Sequence, residues 1–162
     1  MFNVGDKVVY PNHGAGVVEG IIEKDIEGER KKFFVLSLCG GDLKVTVPKD
    51  STEKVGLRSV IPKHQIKSVF EALGEEPTQM PSNWNHRFKK NRDKIRSGDI
   101  YQVAEVVRNL TIRERERGLS SGEKRMLNQA RQILASELIY VLNIDAKKAE
   151  KMLDDAFSER KK

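Results

Sequence analysis

The 162-residue sequence has a single cysteine, Cys39, five prolines and an aromatic content of only 6%. One thiol can neither close an internal disulfide nor supply a multi-cysteine zinc site. No apolar run approaches the roughly 18 residues that a membrane span needs. The start, Met1-Phe2-Asn3-Val4-Gly5-Asp6-Lys7, has no apolar leader and turns into strand within a few residues, so a cytoplasmic location is expected. His13, His64 and His86 lie far apart without ligand-spaced neighbours, so no metal centre is expected.

Phosphate-loop signatures are missing too. Gly14-Ala15-Gly16 is followed by Glu19 where a dinucleotide fingerprint needs glycine, and by strand rather than helix. These glycines read as turn and corner residues. Cys39 would act as a nucleophile only with a histidine base beside it, and a small strand residue is the simpler reading. The pair Asp154-Asp155 sits on a surface-like helix. No catalytic constellation emerges, so neither an enzyme nor a bound cofactor is expected.

What the chain does have is charge, unevenly spread. Its formal net charge is +6. Residues 1–71 hold 11 basic and 10 acidic residues, whereas 77–132 hold 13 basic against 6 acidic. The second window therefore stands at +7 and the rest of the chain at −1. A near-neutral part joined to a basic part suggests two jobs, the second involving a polyanion. A solvated helical surface rich in i, i+4 pairs is the plainer alternative.

Periodicity changes along the chain in step with charge. Gly5–Tyr10, Ala15–Ile22, Lys32–Leu38 and 43–47 read as short strands, with turns at Pro11-Asn12-His13-Gly14, Glu27-Gly28-Glu29 and Gly40-Gly41-Asp42. Leu43, Val45 and Val47 alternate and should face inward. Residues 55–60 could add a fifth strand. Four or five turn-linked strands in residues 1–60 suggest a small antiparallel barrel of the SH3 or Tudor type. Residues 61–82 read as a helix opening at Pro62, with Ile66, Val69, Phe70 and Leu73 on one face, and then a linker. Residues 83–162 read as helical. Asp99, Ser120 (with Glu123) and Asp145 serve as caps, and Gly118 as a stop. The predicted class is α+β with two domains, a β-barrel followed by an all-α domain.

One local feature is sharp. The sole tryptophan, Trp84, stands in Ser82-Asn83-Trp84-Asn85-His86-Arg87-Phe88-Lys89-Lys90-Asn91-Arg92. On a helix, Trp84, Arg87 and Phe88 share a face. Trp84 could anchor a small core. The alternative is an apolar wedge, flanked by cations that grip phosphate and pressed against base steps in a minor groove.

Taken in order, these stretches resemble the CarD family of bacterial RNA polymerase-binding transcription regulators (CarD/CdnL type). The resemblance runs through Gly5-Asp6-Lys7-Val8-Val9-Tyr10-Pro11-Asn12-His13-Gly14, Gly41-Asp42-Leu43-Lys44-Val45 and Val55-Gly56-Leu57-Arg58. It continues through Asn83-Trp84, Ser97-Gly98-Asp99, Val103-Ala104-Glu105-Val106-Val107-Arg108, Glu116-Arg117-Gly118-Leu119-Ser120 and Gly122-Glu123-Lys124-Arg125-Met126-Leu127. It covers nearly the whole chain.

The resemblance implies a Tudor-like domain that binds the RNA polymerase β subunit through a sheet edge and basic side chains. Lys24 matches one such position. Thr46 stands where some members carry arginine and cannot supply that charge, and Lys44 on the same outward face is a substitute. The helical domain is then expected to meet promoter DNA at the upstream edge of the bubble with little sequence specificity. Trp84 would wedge into the minor groove, and Arg87, Lys89 and Lys124 would accompany it on phosphate. Lys90, Arg92 and Arg125 complete the candidate DNA-binding set. The expected function is stabilisation of the open promoter complex by a monomer that uses no membrane. A stand-alone DNA-binding or nucleoid-associated protein is the alternative.

Overall fold

The computed structural model describes residues 2–158. Five antiparallel strands come first: β1 (Lys7–Tyr10), β2 (Gly14–Ile26), β3 (Glu29–Leu38), β4 (Leu43–Pro48) and β5 (Arg58–Ser59). Their order across the sheet is β4-β3-β2-β1-β5. The β2–β3 hairpin closes on Glu27 (φ 51°) and Gly28 (φ 82°), the paired left-handed conformation that matches strand twist. Gly16 faces the β3 backbone so closely that a Cβ there would lie 2.0 Å from the Ser37 carbonyl oxygen, so only glycine fits.

A bulge at Glu19 decides which residues face where. Before it, Val18 pairs with Leu36, and after it Gly20 pairs with Val35. One extra residue thus swaps the two faces of the remaining strand. Val18, Phe34, Leu36, Leu38 and Val47 fill the sheet's own core with Val8 and Leu57. Each large side chain buried there contributes about 1.5–3 kcal/mol. Beyond Val18, β2 loses β1 as a neighbour, and residues 21–30 are all exposed.

Five helices follow: α1 (Ile66–Gly74), α2 (Trp84–Arg96), α3 (Ile100–Glu116), α4 (Ser121–Leu142) and α5 (Ala146–Ser158). Caps stand where side-chain chemistry predicts them. Asp99 accepts from the Tyr101 amide, Ser120 from the Glu123 amide and Asp145 from the Lys148 amide. Gly118 (φ 79°) donates its amide to the Glu114 carbonyl and ends α3. Val69, Leu73, Val103, Val107, Leu110, Leu134, Leu138, Leu153 and Phe157 belong to one helical core. α1, in the segment 61–82, therefore packs with the helices rather than with the sheet.

The sheet rests on α4. The buried Ala15 amide donates to Ser136 Oγ at 2.8 Å, and Lys7 Nζ reaches the Tyr140 carbonyl at 2.8 Å. Arg58 forks onto both Glu137 carboxylate oxygens at 2.8 Å, and Glu137 Oε2 also accepts from the Ile61 amide. A Cβ at Gly14 would meet Ser136 Oγ at 2.9 Å, which is how closely the two parts approach.

The strands make one five-stranded antiparallel sheet, and the helices follow it in sequence, consistent with the expected two-domain α+β class. Three expectations change. The fifth strand shrinks to Arg58–Ser59. A single 3-10 turn at Lys63–Gln65 precedes α1, so the α-helix does not open at Pro62. Leu43 is 37% exposed, because it begins an edge strand beyond the core that Val47 enters.

Candidate functional site

Asn83 caps α2 by accepting from the His86 amide, which sets Trp84 as the first helical residue. Trp84 is 41% exposed and outside the helical core. The anchor alternative therefore gives way to a surface aromatic. Its ring stacks on Phe88, one turn on, with centroids 4.8 Å apart and planes 17° apart. Its indole nitrogen donates to Ser120 Oγ at 3.0 Å, and a Cβ at Gly122 would lie 3.5 Å from the ring. The N-termini of α2 and α4 thus meet beneath Trp84. Both helix dipoles turn their positive ends to the same place, which favours a nearby anion.

Arg87 is placed differently from expectation. It is 4% exposed, and its Nε donates to Glu123 Oε2 at 2.7 Å. Its Nη1 holds the carbonyls of Pro81 and Ser82. A guanidinium enclosed in this way supports the site from behind and does not face a phosphate. Burial alone would raise the Glu123 carboxyl, but the Arg87 hydrogen bond and charge, helped by Ser120, outweigh it. They hold Glu123 below the usual carboxylate range.

The remaining cations divide by exposure. Lys90, Lys124 and Arg125 are exposed, the last two in the opening turns of α4 beside Gly122. Lys89 is exposed but pairs with Asp93 at 3.1 Å. Arg92 is half-buried, with its Nε enclosed and without a hydrogen-bond partner among the described residues. Charge-assisted contacts to phosphate are open to the exposed members of this set.

The second group lies on the sheet. The register puts Lys24 opposite Lys31, Thr46 opposite Val35, and Lys44 opposite Ser37. All three expected residues therefore share the face turned away from Phe34, Leu36 and Leu38. Lys24 Nζ lies 5.2 Å from the Phe33 ring centroid, and Lys44 pairs with Glu19 at 3.2 Å. Sequence reasoning missed what stands among them. Ile22 (36% exposed) and Ile26 (40% exposed) lie on the same face, beside half-buried Phe33 and Val35. The bulge turned them outward, and Gly20 was the only local signal for it. Along the same stretch, no described strand pairs with the outer edge of β2.

Cys39 is poorly suited to nucleophilic work. Its Sγ donates to the His13 carbonyl at 3.4 Å, and burial, with Asp42 nearby, pushes the thiol up. Among the described residues no group of three or more His, Cys, Asp or Glu could hold a metal, and no helix is long and apolar enough to cross a membrane.

The chain thus has two parts with distinct surfaces, an apolar sheet face rimmed by lysines and a helix-borne tryptophan among cations. Comparison with protein families agrees with that division. Residues 2–61 match the CarD-like/TRCF RID domain, and residues 68–154 match the CarD C-terminal domain. The chain belongs to the CarD family. It is also similar to the candidate transcription factor YdeB of Bacillus subtilis (strain 168). They are 36% identical over 149 residues, which is 91% of this chain and 96% of that protein.

Proposed function

We propose that this chain is a transcription regulator that joins RNA polymerase to promoter DNA and stabilises the open complex. The observation that carries the reading is Trp84, an exposed aromatic stacked on Phe88 where two helix N-termini meet exposed Lys124 and Arg125. Such a ring can press against or between base steps in the minor groove, while the cations bind phosphate without reading sequence. Held at the upstream edge of the bubble, it hinders reannealing.

The sheet, Tudor-like in this reading, supplies the second contact. The free edge of β2 can accept a strand of the polymerase β subunit. Ile22, Ile26 and Phe33 offer apolar cover, and Lys24 and Lys44 offer charge. Thr46 contributes surface without charge. Two weak contacts on one chain reinforce each other through effective concentration. The division into residues 1–60 for polymerase, 61–82 as connection and 83–162 for DNA is part of the proposal, as is a cytoplasmic monomer without catalytic activity. An exposed apolar sheet face favours a protein partner and disfavours the stand-alone DNA binder.

Co-purification with bacterial RNA polymerase, followed by footprinting on a promoter, tests the proposal. The chain is expected to co-purify through the sheet and to extend protection at the upstream bubble edge only when polymerase is present. A footprint without polymerase would support the stand-alone reading instead.

A further inference from the structure

We infer that Ser120 is the positioning residue for Trp84, its hydroxyl latching the indole in its exposed pose before any DNA is met. The inference rests on the reading of Trp84 as the DNA-contacting aromatic and adds how that ring is held.

A serine hydroxyl offers one donor and two acceptor sites. In Ser120 all three are engaged. Its oxygen accepts from the Trp84 indole N–H at 3.0 Å and from the Glu123 amide at 3.2 Å, and its proton points to Glu123 Oε1 at 3.3 Å. The same carboxylate receives Arg87. Arg87 in turn binds the Pro81 and Ser82 carbonyls, the two residues immediately before the Asn83 cap. The bonds therefore form a loop, from the tip of the indole through Ser120, Glu123 and Arg87 back to the backbone that leads into Trp84.

That loop fixes the residue at both ends, and Phe88 supports its face. An exposed side chain free to change rotamer would lose that freedom on binding, whereas one ordered beforehand does not. The latch has a chemical consequence as well. The indole N–H is the only polar atom of tryptophan and a donor only. With it bound to Ser120, the ring meets DNA as a bare apolar surface with no hydrogen bond for a base edge.

The sequence contains one tryptophan, so its fluorescence reports this residue alone. Ser120→Gly removes the hydroxyl while keeping a residue that helix N-caps tolerate, and Ser120→Thr retains the hydroxyl. In the free full-length protein, Ser120→Gly is expected to raise acrylamide quenching of Trp84 and lower its anisotropy, with the thermal midpoint nearly unchanged. Open-complex lifetime is expected to fall roughly three- to tenfold, the factor that one hydrogen bond corresponds to. Ser120→Thr should restore all three readings.

Native-like quenching and anisotropy in Ser120→Gly would overturn the latch. A loosened Trp84 with unchanged lifetime would support the latch and sink the DNA-wedge reading. If Ser120→Gly unravels the start of α4, indole N–H exchange in the native chain decides: slow exchange supports the latch, and exchange at the rate of free indole overturns it.

Discussion

The β2–β3 arm and the Trp84 corner are both exposed, but they are held in opposite ways. Residues 21–30 form a two-stranded extension, stiffened only by its own ladder and by surface pairs such as Glu23–Arg30. Exposed pairs of that kind contribute about 0–1 kcal/mol. Trp84 is fixed through Ser120 to an ion pair whose side chains are 5% and 2% exposed. The difference follows what each proposed partner offers. A protein strand can add backbone hydrogen bonds and cover Ile22 and Ile26, so it orders the arm as it binds. A duplex offers phosphates and stacked faces, so the side chain that meets it must arrive already oriented.

Breaking the stiff side should have the largest effect. Arg87→Ala strands the Glu123 carboxylate in a buried site, a change that typically costs about 3–5 kcal/mol. Denaturant unfolding should show that loss, and Trp84 emission should shift toward that of a solvated indole. A drop below 1 kcal/mol would mean the corner is looser than its contacts imply. Next comes the soft side. Ile22→Asp should weaken polymerase binding roughly tenfold, the scale of one lost apolar burial. Its stability and free-DNA affinity should stay native, and a stability loss equal to that of Arg87→Ala would erase the contrast between the two regions.

A smaller effect sharpens the electrostatic half. Lys124→Ala should lower affinity for duplex DNA by a similar factor on unrelated sequences and reduce the salt slope by about 1. A sequence-dependent loss would point to base reading instead. The smallest effect is invisible at neutral pH. Glu123 titrates below its ordinary value when folded, so its contribution is complete above the unfolded value of about 4.3 and is lost as pH falls through the lower folded one. Glu105, lowered against burial by Thr78, Lys94 and Arg108, shifts the same way. Helical stability and Trp84 emission should hold level from roughly pH 8 to 5 as far as these groups go, then decline together in acid. A transition centred near neutrality would contradict the ion-pair assignment.

The contrast also explains what could be read from sequence. Caps at Asp99, Ser120 and Asp145 were legible because each is a local exchange between a side chain and an amide two or three residues away. The core face of α1 was legible from 3.6-residue spacing, through Ile66, Val69, Phe70 and Leu73. The burial of Arg87 was not, because its partner lies 36 residues further on and both look like surface charges. Ser120 was recognised as a cap, but its bond to Trp84 needs the two helix starts to meet in space. On the sheet, alternation failed at Glu19, where the bulge turned Ile22 and Ile26 outward and left the expected lysines around an apolar centre. The docking of the sheet on α4, through Ala15–Ser136 from β2 and Arg58–Glu137 from β5, joins residues 121 and 79 positions apart and left no local mark.

The central claim is that Trp84 acts on the bubble while the sheet holds the polymerase. It is tested most directly by the lifetime of open complexes challenged with competitor DNA. Native protein and Trp84→Ala would be compared at concentrations where both saturate the polymerase. The native chain is expected to prolong the lifetime. The variant should remain bound yet give a lifetime close to that of polymerase alone. A variant that prolongs it as much as the native chain would contradict the account.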